Sequence, residues 1–349
     1  MKIAILTPTF NDWSGIDNVA RMQAEDYAKN AKNKVTVITL QGSIKPEGYN
    51  IIRLGMPSNP FFQRLYRLFF FLDFNKLNQY KQLKNYDMII SHFYPMNWLA
   101  HRAKKRYGVN YIFWNHGIDR GDNFLQDVYM KLLLLLNKYT IENADKIVSV
   151  SDFSKEQLKE QTGLESDETK LNRIDKKRFN LSVKGDKVIK KYGLQDSIVY
   201  LYVGRITARK RVHLLIESFK SIKDKVPNAK LLIVGNPTFR HYKNKIKKIA
   251  DDGVIFTGIV DYKELPSYYA ACDFYVTASA WECYDLPIAE AQACGKRVIA
   301  FDIGSHKEVI NKKKGILVPE ENNKELNKKV LSDAMIYAYS INGSKRQFI

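Results

Sequence analysis

The chain alternates short apolar runs with longer amphipathic segments from its first residues onward. The apolar runs at 34–40, 87–91, 111–114 and 146–149 are rich in Val, Ile and aromatic residues and predict buried strands. Between such runs, apolar positions recur with helical spacing, as in 17–29. Regular alternation of strands and helices predicts an α/β fold with parallel sheets covered on both faces.

The same rhythm restarts in the second half, with predicted strands at 198–203, 230–234, 254–257, 272–279 and 297–301. The stretch 176–193 is polar, Lys-rich and without a long apolar run. Because 349 residues exceed what one core usually supports, we expect two Rossmann-like, doubly wound domains facing a cleft. The predicted boundaries are 1–178 and 179–330, with a helical segment at 331–349 packing back on the first domain.

Two carboxylates in the second half bracket a predicted helix start. Pro287 suits the first turn of a helix, and Asp285 is placed to cap it. Glu290 then lies about one turn inside, while Glu282 stays in the preceding loop. Both carboxylates would face the positive end of the helix, an arrangement suited to hydroxyl groups and phosphate. The alternative is an ordinary capped surface helix.

Three further segments follow predicted strands and carry candidate chemistry. Arg205 and Lys210 come directly after the strand at 198–203, where both cations are placed to meet a diphosphate. His116 ends another strand, and the turn 7–15 brings Gly15 to the start of a helix. The alternatives are that Arg205 and Lys210 belong to a basic solvated loop, that His116 is a structural histidine, and that 7–15 is a plain turn. The full G-x-G-x-x-G fingerprint of dinucleotide binding is not met.

Composition narrows the class of protein. A hydrophobic content of 45% indicates a folded protein, and no apolar stretch reaches the length of a membrane span. Three cysteines without metal-ligand spacing predict free thiols and no metal site. The first strand starts at once, so we expect no signal peptide and a cytoplasmic location. The net charge of +19 implies an anionic partner, either a phosphorylated ligand, a membrane surface or nucleic acid.

The segment 61–72 interleaves basic and aromatic residues in the first half. Such a helix is suited to a membrane interface, with arginines near anionic headgroups, and would make the protein peripheral at the cytoplasmic membrane face. The alternatives are a buried core helix or an oligomer contact. The predicted membrane or acceptor surface comprises Phe61, Phe62, Arg64, Arg67, Phe69 and Phe70.

The order of these motifs resembles the retaining GT-B glycosyltransferases, and more narrowly glycosyltransferase family four, the E-x7-E group. The resemblance runs from Lys2 to about Pro319. It is carried by the Gly15 turn, His116, Ser151, Asn172 to Asp175, Gly204, Arg205, Lys210, Gly235, Gly258, Glu282 to Glu290 and Gly295.

The resemblance implies a metal-independent hexosyltransferase without a cofactor, which uses a nucleotide sugar such as a UDP or GDP sugar. The implied acceptor is a glycan or a lipid-linked molecule. The implied catalytic residues are Glu282, His116, Arg205 and Lys210. The implied donor-binding residues are Gly15, Gly204, Arg205, Lys210, Gly235, Asn236, Ile259, Val260, Tyr284, Asp285, Leu286 and Glu290.

The chain departs from the family pattern at three places. Cys283-Tyr284-Asp285 replaces the usual Gly-Phe-Gly, Arg173 stands where Gly is common, and Ser14 precedes a single Gly15 where two glycines are frequent. Donor choice is therefore open. A related epimerase or hydrolase acting on UDP-GlcNAc and a basic nucleic-acid-binding protein are the competing functions. No basic-aromatic recognition module appears, so we do not expect nucleic acid as a partner.

Overall fold

A computed structural model describes residues 1–12, 14–118 and 124–346. The chain forms two compact units, Met1–Arg173 and Ile174–Ile349. The first contains a parallel seven-stranded sheet in the order β3-β2-β1-β4-β5-β6-β7. Its strands are β1 (Lys2–Phe10), β2 (Lys34–Gly42), β3 (Asn50–Arg53), β4 (Met88–Ser91), β5 (Asn110–Asn115), β6 (Lys146–Ser149) and β7 (Glu168–Thr169).

The helices of the first unit lie between these strands along the chain. They are α1 (Gly15–Ala28), α2 (Pro60–Leu68), α3 (Phe74–Leu77), α4 (Asn97–Tyr107), α5 (Phe124–Ile141) and α6 (Asp152–Thr162), with 3₁₀ turns at Phe70–Leu72 and Asn78–Asn85. Two apolar clusters fill the space between the sheet and its helices, one containing Leu6 and Tyr111 and the other Ile5 and Val37.

The second unit holds a parallel six-stranded sheet in the order β10-β9-β8-β11-β12-β13. Its strands are β8 (Ile198–Val203), β9 (Ala229–Val234), β10 (Val254–Gly258), β11 (Phe274–Thr277), β12 (Arg297–Phe301) and β13 (Gly315–Val318). Its helices are α7 (Asp186–Tyr192), α8 (Val212–Lys220), α9 (Arg240–Ile249), α10 (Leu265–Ala271), α11 (Leu286–Ala293), α12 (His306–Val309) and α13 (Lys324–Arg346). Successive residues of a strand point to opposite faces, so Tyr200 and Leu201 enter different cores. The prediction of an α/β fold with parallel sheets is confirmed.

The division of the chain differs from the predicted domains in two respects. The units divide after Arg173, and not after residue 178. The last helix begins at Lys324, and its buried residues Leu331 and Met335 belong to the core of the second unit, beside α8 and β12. The expectation that 331–349 packs on the first unit is therefore wrong, because the helix packs on the core of the second unit through Ala338. Residues 347–349 lie outside the described part of the chain.

The described helices also bear on membrane insertion. None of them within 1–12, 14–118 and 124–346 combines the length and the apolar character needed to cross a bilayer.

Candidate functional site

Three glycines bring the ends of neighbouring strands close together in the second unit. A Cβ on Gly235 would lie 1.9 Å from the carbonyl oxygen of Gly204, and both glycines have positive φ angles, +142° and +153°. The Gly204 amide donates to the Val234 carbonyl at 3.0 Å, and the Gly235 amide donates to the Gly258 carbonyl at 2.9 Å. Glycine is therefore required where β8 and β9 end, and the loops that follow start from one edge of the sheet.

Lys210 and Glu282 form an ion pair at this edge. The Lys210 ammonium donates to Glu282 Oε1, and the two side chains are only 17% and 9% exposed. The Ala280 amide donates to the Arg209 carbonyl at 3.0 Å, so the loops that carry the two charges are also joined through their backbones. An enclosed pair with this support is held more firmly than a surface salt bridge.

The loop carrying Glu282 rests on the backbone that follows β12. The Ser305 amide donates to the Glu282 carbonyl at 3.0 Å. A Cβ on Gly304 would lie 2.1 Å from the same carbonyl oxygen, and the φ angle of Gly304 is +51°. The absence of a side chain at Gly304 therefore makes room for the Glu282 carbonyl. No motif in the sequence indicated this role of Gly304.

Glu290 lies in α11, as predicted, and its carboxylate is buried. The Tyr269 hydroxyl donates to Glu290 Oε2 at 2.8 Å. Burial raises the pKa of Glu290 to about 7, while the Tyr269 hydrogen bond opposes that shift. When ionised, this carboxylate has acceptor positions for further hydroxyl groups beside Tyr269.

Asp285 occupies the N-cap position of α11, but its side chain makes no capping hydrogen bond. The predicted side-chain cap is therefore wrong. The carboxylate is buried, and its Oδ2 lies 3.4 Å from His306 Nε2. Burial alone would raise the pKa of Asp285, but His306 and the charge of Lys210 hold that pKa below its ordinary value.

His306 completes this group. Its Nδ1 lies 2.7 Å from the Phe301 carbonyl oxygen. Burial would lower the pKa of His306, but the contact with Asp285 raises it above the ordinary histidine value. Lys210, Glu282, Asp285, His306 and Glu290 thus form one group of charged and titratable side chains around the start of α11.

The other residues predicted to bind a donor differ in exposure. Arg205, Asn236 and Ile259 are exposed at the ends of β8, β9 and β10. By contrast, Val260 packs against the core and Leu286 is buried, so their side chains face inward. Tyr284 is half-buried, and burial raises its pKa to about 12.

In the first unit, His116 directly follows β5. His92 directly follows the neighbouring strand β4 and lies beside His116. His116 Nε2 lies 2.9 Å from His92 Nδ1, and His92 Nε2 lies 3.0 Å from Gln23 Oε1. Burial lowers the pKa of both imidazoles, so both rings are neutral near pH 7.

The predicted turn at Gly15 is the start of α1. Ser14 is the N-cap residue, and its hydroxyl accepts from the Asp17 amide at 3.4 Å. Asp17 is buried and accepts from the Asn11 amide at 2.8 Å. Burial raises the pKa of Asp17 to about 6. Trp13, in the same predicted turn, lies outside the described residues.

The predicted aromatic surface of α2 is divided by the structure. Phe61, Phe62, Arg64 and Phe69 are exposed, as a membrane or acceptor surface requires. Phe70 is fully buried in the core. Arg67 is half-buried, and its Nε atom is enclosed by protein. These last two predictions are wrong, because Phe70 lies beyond α2 in the 3₁₀ turn Phe70–Leu72, where it enters the core, and the side chain of Arg67 turns partly inward from α2.

Three residues of these groups were missed in the sequence. His92 follows β4 as His116 follows β5, so the same position at a strand end would have revealed it. His306 lies further from its strand, at the first position of α12 after the turn that follows β12, so a strand-end position would not have revealed it. Tyr269 lies in α10 among apolar residues, and nothing in the sequence distinguishes it from an ordinary core tyrosine.

Two Rossmann-like units, with a lysine and two acidic side chains at the carboxyl edge of the second sheet, are characteristic of GT-B glycosyltransferases. Residues 13–171 match the model of Glycosyltransferase Family 4, and residues 185–332 match the model of Glycosyl transferases group 1. The two matches together span most of the chain, and the protein belongs to the GT4-type glycosyltransferases.

Individual relatives agree with this assignment. The chain is 29% identical to a putative glycosyltransferase, YtcC, of Bacillus subtilis over 56% of the chain and 52% of that relative, or about half its length. It is 26% identical to the alpha-monoglucosyldiacylglycerol synthase of Streptococcus pneumoniae over 86% of the chain and 71% of that protein. The structure of Anabaena Alr3699/HepE in complex with UDP-glucose shares the fold, with a TM-score of 0.75, 18% identity and coverage of 97% and 95%.

Proposed function

We propose that this glycosyltransferase is retaining and metal-independent, and that it moves a hexosyl unit from a nucleotide diphosphate sugar to a lipid-linked acceptor. The observation that carries the proposal is the group around α11, in which Lys210 pairs with Glu282 and Tyr269 orients Glu290. A cation, a buried carboxylate and a helix N-terminus at one sheet edge are the elements needed to hold a diphosphate and a diol.

In this proposal Glu290 accepts hydrogen bonds from the ribose hydroxyls of the donor. Its carboxylate is already oriented by the Tyr269 hydroxyl and lies in α11, so little ordering is needed on binding. Glu282 lies in the loop before α11 and is assigned to the transferred sugar. Two carboxylates used in this way hold a ligand and are not an acid and nucleophile pair of the glycosidase kind.

Lys210 and the exposed Arg205 are assigned to the diphosphate. As the glycosidic bond breaks, negative charge grows on the leaving nucleotide, and fixed cations stabilise it without a metal ion. Lys210 is paired with Glu282 in the free protein, so the diphosphate must share or replace that partner. We therefore expect EDTA to leave turnover unchanged.

A surface of the first unit supports a membrane-bound acceptor. Along α5 the exposed apolar residues follow helical spacing on one face, and α5 is joined to α2 by the Tyr129 hydroxyl, which donates to the Arg64 carbonyl at 3.1 Å. Exposed lysines accompany this face. An apolar face with basic neighbours suits an anionic bilayer. The exposed apolar residues are Phe61, Phe62, Leu65, Phe69, Phe124, Leu125, Val128, Leu132 and Leu135.

The name of the Streptococcus pneumoniae relative concerns a glucosylated diacylglycerol, which agrees with a lipid acceptor. Binding to vesicles tests this part of the proposal. Sedimentation with anionic vesicles at low salt is expected to fall when Leu125 and Leu132 are both replaced by Ser. Leu326→Ser, at an exposed leucine of the second unit, is the matched control. Equal binding by all three proteins would contradict the membrane surface.

The donor is tested by a thermal-shift panel of UDP, GDP and ADP sugars, followed by product analysis. We expect the sugars of one of these nucleotides to raise the melting temperature of the protein. We also expect the product to keep the anomeric configuration of the donor. A lack of stabilisation by every nucleotide sugar would contradict the proposal. An altered sugar formed without acceptor would instead favour an epimerase.

A further inference from the structure

Three polar side chains of the first unit form a continuous chain that ends at His116. Gln23 comes from the middle of α1, His92 directly follows β4, and His116 directly follows β5. The ring nitrogens of the two histidines are 2.9 Å apart, and the Gln23 amide oxygen lies 3.0 Å from the far nitrogen of His92. The ring centroids of the histidines are 5.2 Å apart, with 30° between the planes.

The order of atoms along this chain determines where the protons lie. Gln23 presents its amide oxygen, an acceptor, so the neutral His92 must donate from Nε2 and keep a lone pair on Nδ1. His116 must then donate from its own Nε2 to that lone pair. The proton-free nitrogen of His116 is therefore Nδ1, and no hydrogen bond within the described part of the first unit occupies it.

The surroundings keep the chain in this arrangement. His92 is fully buried, and its backbone amide donates to the Leu6 carbonyl at 2.9 Å, which fixes the end of β4. The Trp114 ring lies 6.2 Å from the His92 ring, at 33°. A buried imidazole between two hydrogen-bond partners cannot rotate without losing both.

We propose that Gln23 and His92 are positioning residues that hold His116 in one ring orientation and in the tautomer whose Nδ1 accepts a hydrogen bond from a substrate hydroxyl. The role of Gln23 and His92 in catalysis rests on the proposed function, whereas the tautomer of His116 does not depend on it. A sugar hydroxyl is a fitting donor, because it can donate a hydrogen bond to the lone pair of a neutral imidazole while keeping its own proton.

The tautomers are measured directly by long-range ¹H–¹⁵N correlation spectra of the ¹⁵N-histidine-labelled protein at pH 7. We expect both His92 and His116 to be neutral with the proton on Nε2, and His92→Gln to keep that state at His116 through the Gln amide oxygen. A proton on His116 Nδ1, or a charged ring at pH 7, would overturn the proposal.

Kinetics test the consequence for turnover. His92→Phe is expected to lower kcat about tenfold, the equivalent of roughly one hydrogen bond, with little change in the donor KM. His92→Gln should recover most of that loss, because Gln at this position still accepts from His116. His101→Phe replaces another buried histidine of the same unit and controls for packing.

These experiments distinguish a failure of the positioning role of His92 from a failure of the proposed function. Equal kcat losses in His92→Phe and His92→Gln would show a structural role for His92 and overturn its positioning role. If no nucleotide sugar is turned over, the proposed function fails, but the spectra still decide the tautomer of His116.

Discussion

Replacement of Glu290 by Gln is expected to stabilise the protein at high pH while weakening its binding of a nucleotide sugar. Glutamine keeps the shape of the side chain and an oxygen that accepts from the Tyr269 hydroxyl, but it removes the charge. The pKa of Glu290 rises from an ordinary value of 4.5 to about 7 in the folded protein, chiefly because the carboxylate is buried. Ionisation of Glu290 therefore opposes folding.

The magnitude follows from that shift. Because the folded pKa is raised, the native protein loses stability as the pH increases from about 4.5 through about 7. A shift of this size corresponds to about 3 kcal/mol above pH 8 and to almost nothing below pH 4.5. For a unit of this length, about 3 kcal/mol equals a rise of roughly 6–12 °C in melting temperature.

The assay is a series of thermal melts of Glu290→Gln and the unaltered protein between pH 5 and pH 9, without ligand. The stability difference should be small at pH 5 and should grow through pH 7. Glu264→Gln, at an exposed carboxylate, is the matched control. A difference that is independent of pH, or a variant less stable than the native protein at pH 9, would refute the reasoning.

The remaining predictions concern the loop of Glu282. Asp285→Asn should destabilise the protein by about 3 kcal/mol at pH 6. The loss should be smaller at pH 9, because the pKa of His306 is raised and the stabilisation from its contact with Asp285 is lost as the pH rises through that pKa. An equal loss at both pH values in urea titrations would contradict the pairing of Asp285 with His306. Gly304→Ala should cost more stability than Gly193→Ala, since both glycines have positive φ angles, +51° and +64°, but only a Cβ on Gly304 meets another atom, 2.1 Å away. Equal melting temperatures of the two glycine variants would count against the support of Glu282 by Gly304.

Much of the fold was predictable because the strands are continuous apolar runs. The runs at 34–40, 146–149 and 198–203 all lie in observed strands, and their short length and β-branched residues favour strand over helix. The last helix was misplaced because its apolar face does not specify which of two sheets it covers. That choice depends on packing against α8, far away along the chain.

The candidate site was predicted where local rules apply and missed where the partner is distant in sequence. Pro287 placed the start of α11, and with it Glu290, correctly. Asp285 was predicted to cap the same helix, but the approach of His306 from the end of β12 gives its carboxylate a different partner. A cap can be inferred from neighbouring residues, whereas a buried ion pair requires the tertiary structure.

The central claim is that the group around α11 binds a nucleotide sugar and that its members have separate roles. The most direct test measures the dissociation constant of the free nucleotide by calorimetry and turnover of its sugar conjugate, for the unaltered protein, Glu290→Ala and Lys210→Ala. We predict that Glu290→Ala weakens nucleotide binding, whereas Lys210→Ala lowers kcat by a larger factor than it weakens binding. Equal losses in binding and kcat for both variants, or nucleotide binding unchanged by either, would contradict this account.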